Sequence, residues 1–280
     1  LVIGTPTDEI ARLFLVKPTA MAARITRAKK KIVAAGIPLA RPADDELRAR
    51  LDDVCRTVYL AFTAGYTPGQ GDDLLRDDLA GEAVELAGLL HRLVPDAAQV
   101  RALYGLLLLQ HGRRRARVSH GRLVTLGEQD RSRWQHDELA AGMRLVAGLT
   151  VSTGYAEELR LQAMIASVHA GASTAADTEW SAIVGLYHDL ELLTGSPVVR
   201  LNRAVAVAET AGPSAGLELL TGLDDALGPG HRLHAVRADL YRRAGDDASA
   251  RSAYEAALGR CENEVERAYL ARRLRSLDSR

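Results

Sequence analysis

Residues Thr7 to Ile32 read TDEIARLFLVKPTAMAARITRAKKKI, and their side-chain pattern frames the rest of the chain. Thr5 is placed to cap a first helix, with Pro6 in its first turn and Asp8 at the positive end of the helix dipole. Ile10, Leu13 and Phe14 form one apolar stripe. Lys17-Pro18 restarts the chain as a second helix, Gly36 ends it, and Pro38 and Pro42 mark a linker. On the second helix Met21, Ile25, Ala28 and Ile32 fall within about 60° at 100° per residue, a seam to pack on Ile10 and Leu13. The other face carries Thr19, Ala23, Arg27 and Lys30, with Arg24 and Lys31 on its flank and Lys17 at the turn.

A DNA-reading helix needs this layout: an inward apolar seam, small and hydrogen-bonding residues near its N-terminus to approach base edges, and cations for phosphates. Arg can fork onto guanine, whereas Lys acts as a point charge. The charge distribution agrees. All four lysines of the chain (Lys17, Lys29, Lys30, Lys31) lie in this stretch. Residues 1–41 hold eight Lys/Arg against Asp8 and Glu9, a net +6, and the remainder carries −6, so the overall charge of zero hides a basic head on an acidic body. The competing reading is an amphipathic helix with a solvated basic face; the short turn and the confinement of lysine favour DNA.

At 280 residues the chain holds two domains or one long helical array. Its apolar content of 47% includes only 4% aromatics, so the core is built from Ala, Leu and Val, and the helix-forming bias of Ala and Leu predicts an all-α fold. Cys55 and Cys261 stand far apart without a partner motif, the pattern of a reducing compartment with no disulfide framework or zinc motif. The apolar run Leu103–Leu109 is too short to span a bilayer, and no signal peptide is visible. A cytoplasmic protein without membrane contact is expected. The opening Leu1-Val2-Ile3 reads as cut from a helix, with an upstream part expected to be missing.

Four segments follow from this pattern: a helix-turn-helix over 1–36, a linker over 37–43, a helical extension over 44–150 and helical repeats over 151–280. Leu75, Leu79, Ala83, Leu86, Leu89 and Leu90 carry one helical stripe of the extension and Val100–Leu109 another, while 65–71 reads as a loop. Glu128–Trp134, EQDRSRW, has no usable periodicity. In the last segment Ala204, Val207, Gly216 and Leu220 recur 34 residues later as Ala238, Tyr241, Ala250 and Tyr254, with a weaker third copy at Ala170, Ala182 and Leu186. That is the period of tetratricopeptide (TPR) hairpins, which place small residues at helix crossings. The Lys/Asn pair of a carboxylate clamp is absent, since the corresponding positions hold Leu201, Val205, Ala235 and Asp239. Asn202 is expected to be a buried polar residue, and Asn202, Asp239 and Arg242 are the candidates for partner contact on the repeats.

Chemistry of other kinds finds little support. The eight histidines are scattered; His231 and His234 share a helical spacing, but no Cys is near them in sequence, so no metal is expected. Asp72-Asp73 and Asp77-Asp78 read as capping and solubility residues. No Gly-rich phosphate loop, G-x-S-x-G or H-E-x-x-H occurs, so neither catalytic residues nor a cofactor is expected. Arg113-Arg114-Arg115 with Arg117 and Arg122 is either a second nucleic-acid patch or an internal dock for acidic helices.

Glu9-Ile10-Ala11, Val16, Arg24 and Arg27-Ala28-Lys29 resemble the region-4 helix-turn-helix of extracytoplasmic-function sigma factors, with Leu15 standing where such motifs often carry Gly. VYLAFTAGY (Val58–Tyr66), EQDRSRW and SPVVRLNRAVAVAE (Ser196–Glu209) are similar to the group of these factors with a long TPR-like C-terminal extension. The resemblance implies recognition of the −35 promoter element by Thr19, Ala23, Arg24 and Arg27, docking on core RNA polymerase, and control of activity by the extension, with a small YCII-like protein as a further partner. It also implies that the part binding the −10 element is absent from this chain. The rival expectation is a TPR-type scaffold or adaptor without DNA binding; an enzyme built on a helical array is a third.

Overall fold

The computed structural model describes residues 6–36, 44–66 and 76–278, and the fold is all-α. The expected linker 37–43, most of the 65–71 loop, Thr5 and Asp72-Asp73 lie outside the described residues. Among the described residues the helices run α1 Thr7–Leu13, α2 Pro18–Ala34, α3 Asp44–Ala49, α4 Leu51–Tyr66, α5 Asp77–Leu93, α6 Ala98–His111, α7 His136–Ala147, α8 Gly154–Gly171, α9 Trp180–Thr194, α10 Pro197–Ala211, α11 Pro213–Leu219, α12 Arg232–Ala244, α13 Asp247–Leu258 and α14 Glu264–Arg275.

Helix α6 is apolar around its whole circumference, and such a helix is stable only if neighbours cover every side. Here α4, α5, α7 and α8 all pack on it, and Val100, Leu103, Leu106, Leu107 and Leu109 are fully shielded. The approach of α7 depends on glycine: a Cβ on Gly142 would lie 2.8 Å from Leu109 Cγ and 3.1 Å from the Gly105 carbonyl oxygen. At the C-terminal end of α6 a polar lock closes the same bundle. His111 Nδ1 and Arg114 Nη1 each lie 2.8 Å from the Glu138 carboxylate, and Arg114 Nε is 3.7 Å from Asp77. Burial alone would raise the Glu138 pKa; the bonds from His111 and Arg114 outweigh it and hold the carboxyl below its usual range. Asp77 and Asp78 fall in the first turn of α5, where their charge suits the positive end of the helix dipole; the cap position itself is Arg76, without a side-chain cap bond, which corrects their reading as capping residues.

Two segments without helical periodicity acquire definite structure. Within the basic loop, β1 Val118–Ser119 pairs antiparallel with β2 Arg122–Leu123. The two residues between them, His120 (φ 52°) and Gly121 (φ 70°), are both left-handed, as a tight two-residue hairpin requires. Arg117 stacks on the Tyr66 ring at 3.8 Å and donates to the Tyr66 carbonyl, and Arg114 is in the polar lock. Those two arginines therefore serve the internal dock, whereas Arg115 and Arg122 are exposed. EQDRSRW forms two short 3-10 turns that seat Trp134 in the core. Asp130 accepts from the Ser132 amide (3.0 Å) and hydroxyl (2.6 Å), and Arg131 stacks on Trp134 while donating to the His169 carbonyl near the end of α8 (2.9 Å). That arginine thus satisfies a carbonyl with no helical partner of its own.

The repeats pack as antiparallel hairpins α10–α11 and α12–α13. Ala204, Ala238 and Ala250 are wholly buried, and Leu220 and Tyr254 nearly so. At the α10–α11 crossing a Cβ on Gly216 would sit 2.8 Å from the Ala204 carbonyl oxygen. The weaker third copy does not sit at a crossing: Ala182 is exposed, and α8 and α9 join through Leu161, Ile165, Ile183 and Leu190 instead. The far end of the array returns to the beginning, because α14 packs against β2 and Glu266 is electrostatically coupled to Arg117 and Arg12. Among the described residues no helix is long and apolar enough to cross a membrane.

Gly216→Ala should destabilise by ~1–3 kcal/mol in spite of alanine's higher helix propensity, as should Ala238→Leu, because each overfills a crossing. Gly185→Ala, on an open helix surface, should instead stabilise by about 0.5–1 kcal/mol. Thermal or urea unfolding checks the order, and equal midpoints for Gly216→Ala and Gly185→Ala would refute the packing. A pH dependence follows from His169, whose pKa burial, aided by Arg113 and Arg131, lowers to about 4. The folded state holds this imidazole neutral, so its contribution is complete above the ordinary value of about 6.5 and falls away as the pH drops towards 4. Urea midpoints should decline between pH 6.5 and 5, and His169→Gln should lessen that decline.

Candidate nucleic-acid interface

Helix α1 is seven residues long, so it covers about 10 Å, while α2 extends for about 25 Å. α1 starts at Thr7, one residue later than the capping pattern suggests, with Pro6 in the cap position and Asp8 and Glu9 in its first turn. It is fixed to the body at two points. Ala11 is fully buried against neighbouring helices, and Glu9 forms a 2.9 Å ion pair with Arg76 at the start of α5.

The connection to α2 has a defined geometry. The Val16 amide donates to the Ala11 carbonyl (3.0 Å) and the Leu15 amide to that of Arg12 (3.1 Å). This is the paired bonding of a Schellman helix end, which needs a left-handed residue at the position of Leu15. Leu15 has φ 53° and adopts that conformation without being glycine. The departure from the usual glycine therefore changes the local energy of the turn and leaves its course intact.

Only the first half of the α2 seam is covered. Met21 is buried and Ile25 half-buried, whereas Ala28 is exposed and Ile32 retains 50% exposure. The four-residue inward seam expected from the sequence is thus corrected to two residues, since the short α1 cannot reach the later turns. Ile32 and the adjacent Val33 (81%) leave an apolar patch at the end of α2, and Phe14 (50%) and Leu15 (47%) are exposed at the turn before it.

The opposite face has the expected form. Lys17, Thr19, Ala23, Arg24, Arg27, Lys30 and Lys31 are all exposed. Pro18 occupies the first helical position and no acidic residue lies in the first turn, so the N-terminal amides of α2 face outward without a carboxylate of their own. Among the described residues none of the cations of α2 enters an ion pair, while Arg76, Arg114, Arg160, Arg203, Arg237, Arg242 and Arg243 of the body are all bound to carboxylates. Exposed arginines without an ion pair among the described residues also occur on the body, among them Arg48, Arg92, Arg115, Arg122 and Arg144. What α2 adds is six cations on one helix and the turn before it, all unpaired among the described residues, as contact with a polyanion requires.

The candidate residues on the repeats are placed differently. Asn202 is exposed, which corrects its reading as a buried polar residue: Leu201, Ala204 and Ala208 set the inward stripe of α10, and position 202 falls on the outer side. Asp239 and Arg242 pair with each other at 2.7 Å within α12, and Asp239 also meets Arg273 at 3.5 Å, so Asp239 joins α12 to α14. A shallow cleft of about 390 Å³ lies between α9, α10 and α11, lined by Val184, His188, Arg203, Val207 and Leu219, and includes none of these three residues.

The fold also makes one cluster that sequence spacing did not disclose. His231 caps α12, Cys261 lies in the turn before α14, and Glu266 is in the first turn of α14; their donor atoms all lie within 4.8 Å of one another. His231 Nε2 is 3.2 Å from Glu266 Oε2. Burial alone would lower the His231 pKa, and the adjoining Cys261 and Glu266 override it to bring it up to about 9. The absence of a cysteine near His231 in sequence is therefore corrected in space.

Residues 50–149, the unit organised around α6, match DUF6596, a family of unknown function. The chain has a longer relative. An uncharacterized protein of Rhizobium meliloti (strain 1021) is 38% identical over 275 residues, which is 98% of this chain and 65% of that protein. The chain thus spans just under two thirds of the length of the curated relative it matches. No solved structure gives a significant match.

Substitutions at Leu15 test the turn. Leu15→Val should weaken hydrogen-exchange protection of the α1 amides several-fold, because a β-branched side chain tolerates positive φ poorly. Leu15→Gly should keep or improve protection. The reverse order would remove the left-handed turn.

Proposed function

We propose that this chain is the C-terminal part of an extracytoplasmic-function sigma factor, in which α2 reads the −35 promoter element and the helical extension governs sigma activity. The observation that carries the reading is the exposed, unpaired cationic face of α2, set at a tight turn from an anchored α1. Thr19 and Ala23 are short enough to let the helix approach base edges, Arg24 and Arg27 can fork onto guanines, and Lys17, Lys30 and Lys31 meet phosphates. The apolar patch at Ile32 and Val33 supports the reading too, since a complete region 4 has further helices that would pack there. Recognition of the −10 element is assigned to a part of the intact factor other than these residues.

In this reading the partners are promoter DNA and core RNA polymerase in the cytoplasm, with a small YCII-like protein as a regulator that the extension could receive. The roles of Asn202, Asp239 and Arg242 differ: Asn202 is available for a partner, while Asp239 and Arg242 help set the shape of the surface. No catalytic step is assigned to the chain. The alternative, a TPR-type scaffold, leaves the free charge of α2 without a use.

Arg24→Ala with Arg27→Ala in the intact factor should lower promoter-specific transcription by about 30-fold or more, given roughly 1–3 kcal/mol for each of two good base contacts. Its DNA affinity should also fall less steeply with salt, by about one unit of slope for each phosphate that the variant no longer neutralises. Transcription and salt slope both unchanged would favour the scaffold.

A further inference from the structure

We propose that His231, Cys261 and Glu266 form a binding site for a zinc-class divalent cation at the end of the helical array. Three different segments supply the donors: the cap of α12, the turn between α13 and α14, and the first turn of α14. Cys261 is 5% exposed, and the side chains of His231 and Glu266 are 17% and 18% exposed, so the cluster is largely withdrawn from solvent yet open at one edge. One imidazole, one thiol and one carboxylate make the mixed N/S/O set that zinc accepts, whereas calcium and magnesium want oxygen alone.

The spacing fits. A tetrahedral zinc with bonds of about 2.0–2.3 Å holds its ligands ~3.3–3.8 Å apart. The His231–Glu266 separation of 3.2 Å is already close to that range, and the widest spacing, at most 4.8 Å, asks for a movement of about 1 Å. Burial works against the charged form of Glu266, and His231, with Arg232 and Arg117 behind it, outweighs burial and favours the carboxylate. Asn263 fixes the local backbone: its side chain accepts from the amides of Val265 and Glu266, so α14 begins where Glu266 must point. Metal binding would tie α12 to α14, and three donors leave a fourth position for water or a ligand atom from a partner.

The test uses the full chain with Co2+ and Zn2+ as probes. Titration with Co2+ should give one equivalent of tetrahedral adduct with a sulfur-to-cobalt charge-transfer band, and Zn2+ should displace it. Cys55→Ser, which leaves Cys261 as the single thiol, should keep the band, and Cys261→Ser should lose it. Glu266→Gln should weaken Co2+ binding at least tenfold. If Cys261→Ser does not fold, the Cys55→Ser variant alone decides. No thiolate band in that variant, or a band in the wild type that Cys55→Ser removes, would overturn the site. DNA binding by α2 is a separate readout, so failure here leaves the promoter reading untouched.

Discussion

Helix α6 sets the terms for the rest of the molecule. A helix that buries Val100, Ala102, Leu103, Gly105, Leu106, Leu107, Leu108 and Leu109, residues distributed right round its axis, cannot stand at a surface, so four other helices must enclose it. The enclosure works only because Gly105 and Gly142 let α7 come close, and because Glu138 of α7 can neutralise His111 and Arg114 at the end of α6. The same bundle provides Arg76, which holds Glu9 of α1, and through α1 it positions α2. Helix α2 is therefore supported at its base through α1 while most of its length is exposed. Residues 50–149, which match a family of unknown function, supply α4 to α7 of that bundle, and α8 completes it.

Use of charge divides the molecule in two. Many arginines of the body pair with carboxylates, satisfy carbonyls or stack on aromatic rings: Arg131 on Trp134 and Arg117 on Tyr66 are examples. Surface pairs of this kind contribute little stability each, and other arginines of the body, such as Arg48, Arg92, Arg115, Arg122 and Arg144, stay exposed without one among the described residues. The cations of α2 have no such partners among the described residues. A surface that keeps its charge uncompensated gains by meeting an anion outside the molecule.

Much of the fold is legible in the sequence, and the exceptions have physical reasons. Helices with one apolar stripe, and the 34-residue recurrence of Ala204 and Ala238, can be read because packing follows side-chain period. The hairpin at His120-Gly121 escapes such a reading because a left-handed His-Gly pair is a weaker turn signal than Asn-Gly. EQDRSRW has no period because its residues act one by one, Asp130 as a cap, Arg131 as a donor to α8 and Trp134 as a plug. Pattern alone misplaces Asn202, because a polar residue inside an apolar run suggests the inward face, when the run is wide enough to wrap past it. Of the α2 surface, the exposed face is readable but the half-covered seam is not, since coverage depends on the length of α1. The His231–Cys261–Glu266 cluster is invisible in the sequence: about thirty residues separate His231 from the other two, and the α12–α14 packing alone unites them.

Contact between α2 and DNA is the claim on which the functional reading stands. The most direct measurement places a photo-crosslinking amino acid at Ala23, on the exposed face, in the intact factor bound to polymerase and promoter DNA. Recognition by this helix predicts a crosslink confined to the DNA around the −35 element, and none from the same probe at Gly185 on α9. A promoter complex that forms normally with no crosslink from position 23, or one that crosslinks there to protein alone, would contradict it.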